Sequence, residues 1–478
     1  MKNFLSKNVQ NPLSVCTLIM LYNTMWTTYL HISRPRFDTT LSTERKLFIL
    51  ERMIESFRKG GQMCKNERYY CKRPETAHVD CGRVLRGDKT YLETLSGKYR
   101  IPLIPNEQLN MSCEAISERV VPKNAKFKPL KLNGTAFARV VYVEYEFIEK
   151  QVQAAYHYQN WFCFAVDRNS SIEFQKKMKQ LAEGLPNVIL LPVTESYDED
   201  GHNINSAHYR CMMELVTRPG WSYLVLLQNF DLITKSVYEM DRIFELLDGA
   251  NDVNLASKRP GRRKPNLKWD LKTLKLFRNK TIINKTILNS EIEISTGYVQ
   301  ASLSRAAAQW LINDVDVTTF MNQLNQSAKA CDEQFISTFQ INEALKMPGH
   351  FTSQCIRRGI SLPSFTRFSR WVLPDQNTRE NCSTQAVRHN LCLFGIEDFR
   401  TLSEMPVLLF NKVIPGFDYS IVDCTAELMY NRTFLGQVDH ELREDFYRNL
   451  VNVQFHKNHN TPGYILNCTS DFEALNYY

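Results

Sequence analysis

Four short apolar runs set the rhythm of the central part of the chain. Residues 139–143, 161–166, 187–193 and 221–227 are rich in β-branched, aromatic and aliphatic side chains, as strands buried on both faces are. Between them lie longer mixed stretches at 144–157, 171–184 and 206–218, which read as helices. Strand and helix alternating at this spacing predict an α/β fold on a mainly parallel sheet. Ligands of such sheets bind beyond the carboxyl ends of the strands. Later apolar runs at 297–303, 391–394 and 408–410 predict further strands.

The two ends of the chain follow other patterns. Residues 8–33, between Lys7 and Arg34, form 26 uncharged positions with an apolar centre at 15–22. About 20 mainly apolar residues suffice to span a bilayer, and Asn23 and the threonines weaken this run. It is long for a signal peptide and lacks a clear small-x-small cleavage site. The expectation is an uncleaved transmembrane signal anchor at 8–33 behind a cytoplasmic tail at 1–7, with a cleaved signal as the alternative. Lys2 and Lys7 on one flank and Arg34 and Arg36 on the other leave orientation unset by the positive-inside rule. Residues 34–134 show no strand–helix rhythm and carry Cys64, Cys71, Cys81 and Cys113 with several prolines, as a lumenal stem would. The catalytic-type α/β domain is then expected at 135–478.

Glycosylation and cysteine signals favour a lumenal body. Asn-x-Ser/Thr sequons begin at Asn110, Asn133, Asn169, Asn279, Asn284, Asn325, Asn381, Asn431 and Asn467, all after the apolar segment. Thirteen cysteines fit an oxidising compartment. Together they predict a single-pass type II protein of the secretory pathway.

Composition narrows the function classes. With 43% hydrophobic and 23% charged residues, the chain is too apolar for disorder and too charged for a many-span membrane protein. The formal charge of +8 is local. Residues 251–286 hold eleven basic side chains, Lys258, Arg259, Arg262, Arg263, Lys264 and Lys268 among them, against Asp252 and Asp270. The remainder is near neutral, so a general nucleic-acid-binding surface is not expected. No strand is followed by Gly-x-Gly-x-x-Gly, and no Gly-Lys-Ser/Thr phosphate loop occurs, which argues against a dinucleotide dehydrogenase or P-loop enzyme. Asp167, just past the second apolar run, is placed either to contact a nucleotide or to cap the next helix through Ser170 and Ser171.

Several ordered motifs point to one family. The stretch RVVYVEYEFIEKQVQAAYHYQNWFCFAVD (139–167) is followed by CMMELVTRPGWSYLVLLQNFDLITKS (211–236), STGYVQASLSR (295–305) and CDEQFISTFQ (331–340). VRHNLCLFG (387–395) and LLFNK (408–412) complete the series, and CGRVLRGD (81–88) precedes it. Their order and spacing resemble the core 2/I-branching β-1,6-N-acetylglucosaminyltransferases. The resemblance implies a GT-A type, Rossmann-like fold, a Golgi type II membrane protein, and inverting transfer from a UDP-sugar without a bound metal. Inversion needs a base near the acceptor hydroxyl and positive charge on the leaving diphosphate.

The resemblance assigns these roles to particular residues. Glu333 matches the general base, and Asp332 beside it reads as a helix cap. Arg388 and Lys412 match two cations that bind the diphosphate in place of a metal, Arg as a bidentate partner and Lys as a point charge. Val140 and Asp167 match UDP-sugar contacts, and Trp371 and Lys268 match acceptor contacts. No metal ligand set is expected: Asp198-Glu199-Asp200 and Asp314-Val315-Asp316 read as solvated acidic turns, since neither sits at the strand end near Asp231. The family's tyrosine two positions after Trp371 is Leu373 here, and an acidic residue expected near Ser257 is missing, which leaves acceptor identity open.

The resemblance also pairs Cys163 with Cys211, Cys382 with Cys392 and Cys81 with Cys424. Cys113 matches a pair whose other position is Gly184. Cys64, Cys71, Cys331, Cys355 and Cys468 are left unassigned. The expected function is an N-acetylglucosaminyltransferase using UDP-GlcNAc to branch a glycan or glycoprotein acceptor through a β-1,6 linkage. The alternatives are a xylosyl- or glucuronosyltransferase on the same scaffold and a non-catalytic glycan-binding protein.

Overall fold

The computed structural model describes residues 70–123, 125–256, 266–279, 285–372 and 378–469. The expected tail and anchor (1–33), Ser257, the Arg262-Arg263-Lys264 run, Asn284 and Leu373 lie outside them. No helix of the described residues is long and apolar enough to cross a membrane.

Among the described residues the chain forms eleven strands, the predicted runs among them. They are β1 (Thr135–Val141), β2 (Trp161–Val166), β3 (Val188–Leu190), β4 (Tyr223–Leu227), β5 (Leu232–Ile233) and β6 (Asp252–Val253). β7 (Ala301–Ser304), β8 (Arg367–Phe368), β9 (Val387–Arg388), β10 (Leu391–Cys392) and β11 (Leu409–Phe410) follow. The main sheet has the order β3-β2-β1-β4-β7-β6. β3, β2, β1 and β4 are parallel, whereas β7 runs antiparallel to both β4 and β6. This mixed α/β sheet fits the GT-A type. A three-stranded sheet, β5-β11-β8, and the β9–β10 hairpin lie apart from it.

Alternation along the central strands divides the core in two. Phe137 and Val141, Phe162, Phe164 and Val166, and Tyr223, Val225 and Leu227 face one hydrophobic cluster. Ala136, Ala138 and Val140, Cys163 and Ala165, and Leu224 and Leu226 face the other. The small side chains on this second face let a helix approach closely. The helices fall where the pattern placed them: α1 (Tyr145–Ala154), α2 (Ile172–Gly184) and α3 (Ile204–Val216). Ser171 caps α2 by accepting the Phe174 N–H at 3.1 Å.

The described part of the expected stem is continuous with the core. Val79, Val84, Leu95, Ile101, Ile116 and Val120 belong to the first hydrophobic cluster. The Tyr419 N–H donates to the Ile101 carbonyl at 2.6 Å, and the Leu103 N–H donates to the Pro415 carbonyl at 2.8 Å. The Cys81–Cys424 disulfide, between positions 343 apart, covalently closes the same contact.

Cys382–Cys392 is also bonded as the resemblance implied. A third bridge, Cys355–Cys468, ties down the C-terminal segment. The expected Cys163–Cys211 bridge is corrected: both are free thiols. They are fully buried, on β2 and α3, packing in the second hydrophobic cluster as small apolar groups. Cys113 is free and exposed. A Cβ on Gly184 would lie 3.1 Å from Ile116 Cγ2, so α2 ends in close contact with the Cys113–Val120 helix.

Among the sequon asparagines, Asn110, Asn133, Asn169, Asn279, Asn381 and Asn467 are exposed. Asn325 and Asn431 are half-buried, and each donates its side-chain amide internally, to Asn203 at 3.0 Å and Gln437 at 3.1 Å.

Candidate active site

The carboxyl ends of the central strands are shaped by a buried polar network. Arg139, inside β1 and nearly without solvent contact, donates to the carbonyls of Gln228 (3.1 Å), Asn229 (3.0 Å) and Asp231 (2.6 Å). Burial pulls its guanidinium down to about 10. The loop after β4 is thereby fastened to β1. Asn229 returns the connection, its Oδ1 accepting the backbone N–H groups of Tyr142 (2.8 Å) and Val143 (3.2 Å). Val140, the expected donor contact, sits just before this turn and is buried.

Asp231 forms the hub. Its carboxylate accepts the Gln228 backbone N–H at 2.6 Å, the Gln300 amide at 2.9 and 3.0 Å, and the Asn411 amide at 2.8 Å. Arg367 closes the ring by donating to Gln300 Oε1 at 2.9 Å and Asn411 Oδ1 at 2.8 Å. The β4–β7 pair of the main sheet and the β8–β11 pair of the small sheet are thus joined where strand pairing alone would leave the two sheets separate. A carboxylate so fully engaged is a structural anion, as satisfied buried charges generally are.

Asp167 does not cap the next helix. Ser171 is the cap of α2, and Asp167 Oδ1 accepts the N–H groups of Asn169 (2.9 Å) and Tyr197 (3.3 Å). It holds the loop beyond β2 against the segment beyond β3, and stays buried at the sheet edge.

Arg388 and Lys412 come together around a residue that the sequence reading passed over. Arg388 ends β9, and the turn that follows, His389-Asn390, has φ angles of +52° and +61°. Two successive left-handed residues suit a tight hairpin. Lys412 Nζ lies 3.5 Å from His389 Nδ1. Burial, and then the Arg388 and Arg367 charges, draw the ammonium down to about 8. Desolvation and the Lys412 charge push the His389 imidazole down as well. The Arg388 guanidinium lies 5.8 Å from the Phe230 ring centre. Two cations and an imidazole therefore share one partly exposed place.

Glu333 is linked to this place through a loop. It lies in a short turn, Cys331–Gln334, ahead of the Phe335–Ile341 helix. Its carbonyl accepts the Gly297 N–H at 2.8 Å and the Ser337 hydroxyl at 3.1 Å. Gly297 is required there, because a Cβ would lie 1.8 Å from the Asn254 carbonyl oxygen. Asp332 is buried and accepts the Gln228 amide at 3.2 Å, so it serves as a packing partner and not as the helix cap expected. Glu333 is half-buried. The acidic loop at 198–201 bridges the two sides. The Asp200 carbonyl accepts the Cys331 N–H at 3.1 Å, and the Glu199 carboxylate lies 3.6 Å from Arg388 and 3.5 Å from His389.

Trp371 is half-buried and pairs with Leu391 in an isolated bridge, which sets it against the Arg388 hairpin. Its indole N–H donates to the Tyr298 hydroxyl at 2.9 Å, and Arg367 lies 4.5 Å from the Tyr298 ring centre. Tyr298, adjacent to Gly297, therefore connects the Glu333 side to Trp371. Lys268 is exposed beside the buried Trp269, and among the described residues no hydrogen bond or ion pair joins it to Trp371. The acidic string at 314–316 lies elsewhere, with Asp316 accepting the Thr318 N–H at 3.0 Å.

The family described as Core-2/I-Branching enzyme matches residues 135–403. The chain is 23% identical over 371 residues to the beta-1,3-galactosyl-O-glycosyl-glycoprotein beta-1,6-N-acetylglucosaminyltransferase of Bos taurus, over 74% of this chain and 85% of that protein. It is 26% identical over 301 residues to enzyme 4 of the same name from Danio rerio, over 61% and 68% respectively. Among solved structures, the mannosyltransferase Ktr4p from S. cerevisiae aligns over 46% of this chain and 56% of its own at 16% identity, with a TM-score of 0.16.

The sheet and the family match together define a glycosyltransferase. The chain belongs to the Core-2/I-branching enzyme family.

Proposed function

We propose that this glycosyltransferase moves N-acetylglucosamine from UDP-GlcNAc to a primary hydroxyl of a glycan or glycoprotein acceptor, forming a β-1,6 branch with inversion and without a divalent metal. One observation carries the reading: Arg388, His389 and Lys412 share one place, and the 198–201 loop connects it to the Glu333 turn. Glu333 takes the proton of the acceptor hydroxyl as its oxygen attacks the anomeric carbon. The bond from that carbon to the diphosphate oxygen breaks, and Arg388 and Lys412 receive the charge that develops there. Val140 and Asp167, at the ends of β1 and β2, suit the nucleotide side, and Trp371 offers an aromatic face to the acceptor sugar. The names of the matched relatives support the donor sugar and the linkage.

The decisive experiment is transfer from UDP-GlcNAc to a core 1 disaccharide acceptor, with and without chelator. Glu333→Gln should lower kcat by on the order of 10²–10⁴, and chelator should leave the wild-type rate unchanged. Normal turnover by Glu333→Gln would remove Glu333 as the base. UDP-xylose and UDP-glucuronic acid run in parallel test the donor. The proposed setting is the Golgi membrane, with the catalytic domain lumenal, which protease protection of sealed microsomes checks.

A further inference from the structure

The acidic string at 198–200, expected as a solvated turn, is tied into the site by one of its side chains. Glu199 is the most exposed partner there, with 74% of its side chain open to solvent. Its carboxylate nevertheless reaches both Arg388 and His389. Its neighbours hold the backbone on either side. Asp198 accepts the N–H groups of Asp200 (3.1 Å) and His202 (3.0 Å) and bonds the His202 ring at 2.7 Å. Asp200 is held by Cys331. Gly201, at φ +88°, packs so closely on Asp332 that a Cβ would lie 2.2 Å from its Oδ1. The loop backbone is anchored, while the exposed Glu199 side chain meets Arg388 and His389 only near the limit of ion-pair distance.

We propose that Glu199 is a displaceable counter-ion of the diphosphate seat: its carboxylate occupies Arg388 and His389 in the free enzyme, leaves when donor phosphate arrives, and so sets donor affinity. This rests on the reading of Arg388 and Lys412 as diphosphate ligands. A carboxylate and a phosphate offer the same kind of anionic oxygen to a guanidinium, so they compete for the edge of Arg388 that Glu199 faces. An ion pair this exposed contributes little to folding, and its partner Arg388 is a group the donor needs. The pairing therefore acts on binding far more than on stability. Glu199 also favours the charged form of Lys412, but the donor diphosphate would replace that effect with more negative charge.

The test is calorimetric titration of the lumenal protein with UDP and, separately, with uridine, at low salt. Glu199→Gln and Glu199→Ala should both bind UDP about two- to fivefold more tightly than wild type, as expected for loss of an exposed competing pair. Uridine affinity should stay unchanged, because uridine carries no phosphate. The UDP gain should shrink as salt is raised. UDP binding unchanged or weakened in both variants overturns the proposal, as does an equal gain for uridine. Arg388→Ala separates the two layers of argument. If it weakens UDP binding while the Glu199 variants do nothing, the diphosphate seat stands and only the counter-ion idea falls. If it binds UDP like wild type, the seat itself is wrong and the proposal falls with it.

Discussion

The side-chain amide of Asn411 donates to the buried carboxylate of Asp231 at 2.8 Å, and Asn411 immediately precedes Lys412. A strand-end acid thus holds Asn411, 180 residues later in the chain, and with it the position of the neighbouring Lys412 after β11. Asn411→Ala would leave Asp231 and Arg367 each short of one buried partner, at a cost of about 1–3 kcal/mol. The expected outcome is a lower melting temperature together with weaker UDP binding, while uridine binding changes much less. Equal loss for UDP and uridine would show that the network supports the whole cleft and not Lys412 in particular.

Tyr298 carries a second prediction. Its hydroxyl accepts the Trp371 indole N–H, which ties that ring to the segment beside Gly297. Tyr298→Phe keeps the ring under Arg367 but leaves the indole N–H without this partner, a change of about 1 kcal/mol. Acceptor KM should rise several-fold while UDP affinity stays at the wild-type value. A change confined to UDP affinity would place Tyr298 on the donor side instead.

Thiol chemistry tests the cysteine assignment. Of the free cysteines, Cys113 is exposed, whereas Cys163, Cys211 and Cys331 are buried. Burial pushes the Cys163 thiol well above its ordinary range, and raises Cys331 to about 11. The native protein should therefore be alkylated at Cys113, with Cys163, Cys211 and Cys331 reacting only after unfolding without reductant. Peptide mass spectrometry reads this directly, and a linked Cys163–Cys211 peptide would contradict the free-thiol pair.

Local pattern carried the scaffold and a good part of the site. The predicted helices at 144–157, 171–184 and 206–218 match 145–154, 172–184 and 204–216, because each is bounded by strong apolar runs. The resemblance also placed Arg388, Lys412 and Glu333 among connected elements. What it missed were residues whose role is defined by partners far along the chain. Asp231, Gln300, Arg367 and Asn411 meet across four strands, and no sequence spacing encodes such a ring. His389 and Glu199 were hidden because their polar, turn-like surroundings look like ordinary surface loop. Cys163 and Cys211 show the opposite limit: adjacency was legible, but adjacency alone does not decide whether two thiols are bonded.

The last prediction concerns pH. Burial, Arg388 and Arg367 lower the Lys412 ammonium to about 8 in the free protein, against an ordinary value near 10.4. Its positive charge is present below pH 8 and lost as pH rises through that value. UDP affinity should therefore be level from pH 6.5 to 7.5 and decline between roughly 8 and 9.5, by up to about tenfold per unit for one coupled proton. The cations closest to Lys412 do not share this titration, because a guanidinium stays charged throughout that range. Lys412→Arg should accordingly flatten the profile even if its affinity at neutral pH differs from wild type. Uridine, which carries no diphosphate, should show no such decline, and a matching fall for uridine would assign the pH effect to a group outside the cation cluster.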